Sequence, residues 1–362
     1  MKIYRPGALL MHPHRLPRRH RLAIALSAAL APVLGLTQEV PDEATQLDTV
    51  TVTATRRAES VQDVPLNITA LSGDNLREEG VGSLVEIGRS VPGLYVLDQG
   101  GRTSNQIIVR GLNADPVAAS EALGNGSGGT VATYVGEIPL YVDLRLEDIE
   151  RVEVLLGPQG TLYGAGTLGG AIRYIPKRPS FDGTEFEIRG SAYDLAESGS
   201  LGYTSGFTAN YALSDTFALR ASVDWLDDPG FIDYNFLLRE PGVSDPEPNF
   251  NAPADVAANL RQEKDADFQE TLSGRVGMRW QPNDALDANL TYYFQDQEVG
   301  GRTQNHQVAF GTDRYVSAHR YLEPNDRHNE LAALEITADL GFAELTSATG
   351  YSTYDELGQR DQ

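Results

Sequence analysis

The side chains in this sequence best suited to metal chemistry are His306, His319 and His328 and an acidic stretch over residues 244–267. The histidines lack metal-ligand spacing and the chain has no cysteine to join them. The carboxylates match no calcium-loop order. Both groups read as polar loop residues; contact of the histidines with a chelated metal is the other reading. Gly164-Ala165-Gly166-Thr167-Leu168-Gly169 spells G-x-G-x-x-G, a dinucleotide fingerprint that requires a helix opening at the glycines. The next residues, Ala171-Ile172-Arg173-Tyr174-Ile175-Pro176, read as a strand. These glycines therefore read as tight turns and close backbone packing. No nucleophile–base pair or carboxylate dyad stands out, so the sequence implies no enzyme and no resident cofactor.

The elements that must position anything functional begin after a targeting signal. Residues 1–21 carry Lys2, Arg5, Arg15, Arg18, Arg19 and Arg21 and no acid. Leu22–Leu36 is an apolar run interrupted by Pro32, short for a spanning helix and suited to a secretory signal. An inner-membrane anchor is the other reading. Small residues near Gly35 and Thr37 allow cleavage just before Gln38. The 362 residues carry a net charge of −22. Without the six leader cations, 23 basic residues face 51 acids, a balance of −28. Such a surface excludes nucleic acid as a partner, because phosphates demand a basic face.

From Glu185 onward the sequence is written in period two. Phe217, Leu219, Ala221, Val223 and Trp225 face one way, with Ala218, Arg220, Ser222 and Asp224 opposite. Leu272, Gly274, Val276, Met278 and Trp280 oppose Ser273, Arg275, Gly277 and Arg279. Leu286, Ala288, Leu290, Tyr292 and Phe294 oppose Asp287, Asn289, Thr291, Tyr293 and Gln295. Weaker alternation runs through residues 186–192, 203–211, 334–340 and 345–351. A soluble sandwich alternates too. Two features favour an outer-membrane barrel: charges at mid-strand on the polar faces, and short turns alternating with long polar loops (about 228–267 and 300–327). The same pattern places Trp225 near the outer rim and Trp280 near the inner one, as girdle anchors in contact with outer-membrane lipid. Seven strands cannot close in lipid, so the sequence reads as a fragment.

Residues between the leader and these strands have another texture. Ser83-Leu84-Val85-Glu86 predicts a capping box opening a short helix. Pro92-Gly93 predicts its end by Val91. Leu94–Val96, Ile107–Val109 and Val152–Leu155 predict short buried strands, and Gly124–Gly129 a flexible loop. The region reads as a small α+β domain.

Its motifs resemble those of TonB-dependent outer-membrane receptors, and the resemblance extends over nearly all of residues 47–362. Leu47-Asp48-Thr49-Val50-Thr51-Val52-Thr53-Ala54 is similar to the TonB box. Gln62-Asp63-Val64-Pro65, Val91-Pro92-Gly93-Leu94 and Val109-Arg110-Gly111 come next. The most specific part is Asp148-Ile149-Glu150-Arg151-Val152-Glu153-Val154, then Gly157-Pro158-Gln159-Gly160-Thr161-Leu162-Tyr163-Gly164 and Gly169-Gly170-Ala171-Ile172. Two positions depart from the family pattern. Gly136-Glu137-Ile138-Pro139 stands where an Asp-Gly pair is usual, and Leu156 where a basic residue is usual.

The resemblance implies an α+β plug domain followed by an incomplete antiparallel transmembrane β-barrel, about 7 of the ~22 strands of a plugged outer-membrane transporter. The divisions are 1–37 signal peptide, 38–60 extension with the TonB box, 61–180 plug and 181–362 first barrel strands. It implies TonB-dependent import of a scarce extracellular ligand, a ferric siderophore or another metal chelate, across the bacterial outer membrane. Import of oligosaccharide or cobalamin, or a ligand-sensing signalling receptor, are the alternatives. Signalling members carry an extra domain before the TonB box, and only about ten residues separate the expected cleavage point from Leu47. Residues 48–54 would bind a TonB-type energy-transducing protein by adding a strand to its sheet edge; a plain N-terminal plug strand is the other reading. Among Arg110, Arg151 and Glu153, charges set in apolar strands, Arg110 is the expected plug–barrel ion-pair residue, against a solvated place on the plug surface.

Overall fold

A computed structural model of the protein describes residues 51–362, except Ala58, Leu146, Ala165 and residues 98–99, 101–105, 113–129, 141–144 and 360–362. The leader, Asp48, Thr49, Val50 and the 124–129 loop lie outside the described residues.

The first domain assembles around short apolar strands. β1 (Thr51–Val52) and β2 (Glu59–Ser60) form a small antiparallel pair. β3 (Ile68–Ser72) leads into helix α1 (Gly73–Glu78), and helix α2 (Leu84–Ser90) comes after it. The α2 capping box forms as predicted: Ser83 Oγ accepts from Glu86 N (3.2 Å), and Glu86 Oε2 accepts from Ser83 N (3.0 Å). The helix stops at Val91, whose extended backbone suits the residue before proline. β4 (Leu94–Leu97) and β5 (Gln106–Val109) make a two-stranded ribbon. β6 (Val131–Val135), β7 (Ile138–Leu140), β8 (Ile149–Leu156) and β9 (Gly170–Pro176) join β3 in one sheet, ordered β3-β8-β9-β6-β7. Its apolar face packs on Leu76, Leu84, Ile87 and Val91 of the helical segment. The one-turn helix α3 (Gly160–Tyr163) lies between β8 and β9.

The remaining strands run from β10 to β19. β10 (Glu185–Asp194), β11 (Leu201–Ser214), β12 (Phe217–Asp228), β15 (Gln269–Asn283), β16 (Leu286–Val299), β18 (Asn325–Asp339) and β19 (Glu344–Gly358) form an antiparallel meander of seven strands. β13 (Asp233–Leu238), β14 (Leu260–Glu263) and β17 (Val316–Ser317) sit in its connections. The two faces of the meander are inverted relative to a soluble sheet. Thr208, Asn210, Arg220, Asp224, Arg275 and Gln295 are buried, whereas Phe186, Ile188, Val223, Val276 and Leu290 are bare. A sandwich would cover the apolar face; here the polar face is covered, by the first domain. Water-facing exposure of that much apolar surface is unfavourable, so the pattern fits lipid outside and a filled lumen inside.

The long connections, polar loops by composition, carry elements of their own. β13, β14 and helix α4 (Pro253–Asn259) occupy the first; helix α5 (Gln307–Phe310) and β17 occupy the second. The two are joined by parallel pairing of β13 with β17, Asp233 against Val316 and Tyr234 against Ser317. Ile232, Tyr234, Leu237 and Ala266 form their own small core.

Candidate functional site

The predicted coupling segment is divided between residues outside the description and a docked end. Thr51 and Val52 pair with Ser60 and Glu59. Val52 and Ala54 are fully buried. Thr53 N donates to Glu153 Oε1 (2.9 Å), and Thr53 Oγ1 accepts from Arg173 Nη1 (3.1 Å) and Arg151 Nη2 (3.2 Å). Tyr163 Oη donates to the Ala54 carbonyl (2.7 Å).

The groups that hold this segment are themselves an ionic node. Glu153 on β8 and Arg173 on β9 are cross-strand partners and wholly buried. Arg173 Nη1 lies 2.5 Å from Glu153 Oε2, and Arg151 Nε lies 2.8 Å from Glu153 Oε1. Arg173 also pairs with Glu137, as does Arg56. The Arg56 guanidinium sits 4.9 Å from the Tyr163 ring centre. Burial raises the Tyr163 phenol above its ordinary range, with Arg173 and Arg56 pulling it back. Buried charges are tolerated only when paired and hydrogen-bonded; Glu153 meets the condition by drawing in Thr53 from the N-terminal segment, while Arg173 Nε is left without a hydrogen-bond partner among the described residues.

The glycine motif shapes the same region. Gly157 N donates to Gly169 O (2.8 Å) and Gln159 N to Thr167 O (2.9 Å), closing a loop from which α3 presents Tyr163. Pro158 enters that loop, with Gly160 opening α3 and Gly164 ending it. A side chain at Gly170 would drive its Cβ into the Leu155 carbonyl oxygen, so only glycine fits. Among the described residues no helix opens at Gly164–Gly169, and β9 comes next.

Arg110 does not make the expected plug–barrel ion pair. It is exposed, in the left-handed region (φ 50°), and enters no ion pair among the described residues. Its N donates to Gly93 O (2.8 Å), and Gly111 continues the turn. The contact with the wall is made instead by Asp148, whose carboxylate takes Arg220 Nε (2.7 Å) and Nη2 (2.6 Å) from β12 and Arg275 from β15. A second contact joins Arg178 to Glu335 (2.9 Å) on β18, whose Oε1 also accepts from Glu137 N (3.0 Å). A signal for Asp148 exists in the sequence: it is an acid opening the most specific motif, in a chain whose strands carry mid-strand arginines. Trp225 and Trp280 stand half-exposed on the bare face, at opposite ends of β12 and β15.

A small domain seated by buried ion pairs on the polar face of an inverted β-sheet defines a plugged outer-membrane barrel protein. Residues 60–171 match the family model of the TonB-dependent Receptor Plug Domain. The vitamin B12 transporter BtuB of Vibrio vulnificus (strain CMCP6) is 29% identical over 264 residues, 72% of this chain and 39% of that protein. A hemin receptor of Yersinia pestis is 28% identical over 281 residues, 74% of this chain and 36% of that one. The ferric yersiniabactin uptake receptor FyuA from Yersinia pestis superimposes with a TM-score of 0.59 at 18% identity, over 80% of this chain and 41% of that one. The pyoverdine receptor FpvA from Pseudomonas aeruginosa PAO1 gives 0.60 at 16%, over 86% and 41%. Residues 60–171 belong to the family of TonB-dependent receptor plug domains, and the chain spans about two fifths of the length of these relatives.

Proposed function

We infer that the protein acts in TonB-dependent import of a scarce ligand across the outer membrane, with residues 61–180 as the plug and 181–362 as barrel wall and outer loops. The observation that carries this reading is the docking of Thr51–Ala54 onto Glu153 and Arg173. A segment tied to the central strands of the plug delivers a pull from the periplasm to the sheet that blocks the lumen. The preceding residues 48–50 supply the extended chain a TonB-type partner would pair with, by backbone hydrogen bonds at a sheet edge. Relatives named for vitamin B12, hemin and ferric yersiniabactin all share this scaffold, and a ferric siderophore or other metal chelate is the ligand class proposed here. The test is uptake of labelled ferric siderophore, hemin and cobalamin by cells expressing the full-length gene product. One of these is expected to accumulate only when a functional TonB-type protein is present. Equal accumulation with and without that protein would remove the import reading.

A further inference from the structure

The first domain meets the described wall along two seams of different chemistry. On one, the β6–β7 hairpin lays Val135, Ile138 and Leu140 against Tyr293 of β16 and Leu331 and Ala333 of β18, all six buried. Ile138 also abuts β19, where a Cβ on Gly350 would lie 2.5 Å from Ile138 Cγ2. Glu137 N, donating to Glu335 Oε1 (3.0 Å), fastens the end of the same hairpin. On the other seam the contacts are between charges. Asp148 takes Arg220 Nη2 (2.6 Å) from β12 and Arg275 from β15, and Arg77 of α1 lies 3.0 Å from Glu187 of β10. Between the two seams, Arg145 N donates to Gln295 Oε1 of β16 (2.8 Å).

Parting these seams has different costs. Apolar surfaces drawn apart gain nothing from the water that enters, and the penalty grows with the area exposed. Charged partners drawn apart regain the hydration that burial took from them, which offsets much of their lost attraction. The wall beside the ionic seam is polar as well. Arg189 of β10 and Asp224 of β12 pair at 2.7 Å, and Ser222, Ser273 and Thr208 are buried near them. Water is therefore tolerated in a gap along β10, β12 and β15 and resisted along β16 and β18.

We propose that the plug parts from the described wall at the ionic seam, opening a passage along β10, β12 and β15. The apolar seam stays closed, and the β6–β7 hairpin serves as the pivot. This deepens the importer reading and rests on it.

Cysteine accessibility tests it. Ser222 lies opposite Arg275 and Ser273 opposite Asp224 at the ionic seam, and Ala333 lies in the apolar one. Ser222→Cys, Ser273→Cys and Ala333→Cys are each made as the only cysteine of the full-length protein. Cells given ferric siderophore, hemin or cobalamin are then treated with a water-soluble maleimide. All three positions are expected to be shielded at rest. During TonB-dependent accumulation, labelling of both serine variants is expected to rise at least about tenfold, with Ala333→Cys unchanged. Labelling of any variant at rest would overturn the proposal. So would failure of either serine variant to rise, or a comparable rise at Ala333→Cys. A second variant locks the apolar seam: Ile138→Cys with Gly350→Cys, close enough for a disulfide. Accumulation is expected to persist with that bond formed, and a loss restored by reductant would also overturn the proposal. If the wild type accumulates none of the three ligands in a TonB-dependent way, the importer reading falls and the proposal with it.

Discussion

At the scale of single residues, the chemistry concentrates in two buried ionic contacts with different consequences. Glu153 accepts from Arg151, Arg173 and Thr53 at once. Glu153→Gln leaves Arg173 without its full partner in a site closed to water, and breaking such a pair costs about 3–5 kcal/mol. The N-terminal segment should loosen first, since Thr53 N donates to Glu153 itself, leaving Arg56 on Glu137 and Tyr163 on Ala54 to hold it. Trypsin cleavage after Arg56 or Arg57, both exposed, is expected to quicken at least about tenfold in that variant. An unchanged cleavage rate would show that the segment is held by something else. Asp148→Asn acts elsewhere, stranding Arg220 and Arg275 on the wall. Its expected effect is a weakened plug seat, read as entry of large antibiotics into cells expressing the full-length protein, with the Thr53 contacts intact. Arg110→Ala, by contrast, removes no ion pair among the described residues and should leave permeability unchanged.

At the scale of elements, the docking of the first strand and the strand addition proposed for it can be separated by a pair of substitutions. Val52→Pro removes a backbone donor from an extended segment and should abolish uptake while surface expression and ligand binding persist. Because Val52 is also fully buried, the same variant disturbs docking. Val52→Ala keeps the donor and hollows only the packing, so it should retain uptake if strand addition is what matters. Loss of uptake in both would assign the effect to docking. Helix α2 offers a local control: Ser83→Ala removes one half of the capping box and should cost about 1 kcal/mol, seen as a lower melting temperature with transport unaltered.

At the scale of the whole molecule, the inverted sheet makes a prediction about lipid. The chain contains two tryptophans, Trp225 and Trp280, both on the bare face, so intrinsic tryptophan fluorescence reports on that surface alone. Reconstituted full-length protein carrying these two as its only tryptophans should be quenched by brominated lipid. Quenching should be stronger with bromine near the headgroup than near the chain end if both rings lie in interfacial girdles. Equal quenching at both depths, or none, would move them out of the girdles.

Period and punctuation make much of this legible from the residues alone. The alternation of β12, β15 and β16 and the Ser83–Val91 helix signals depend on near neighbours, which a sequence displays directly. Strand β18 begins at Asn325 rather than at Leu334, because its first half is polar on both faces and carries no period to read. Likewise Phe231–Leu238 reads as part of a polar loop, although its apolar residues find a core only when Ala266 and Tyr315 arrive from distant positions. The ion pairs are the least legible. Arg110, Arg151, Arg173, Arg220 and Arg275 are alike as letters, and which of them faces a carboxylate depends on contacts between residues far apart in the chain. The sequence by itself determined a period-two wall and a glycine-punctuated domain before it, since both arise from local geometry. Only the tertiary structure decided that Glu153 and Arg173 clasp Thr53, and that Asp148 rather than Arg110 meets the wall, because buried charge is assigned by proximity in space.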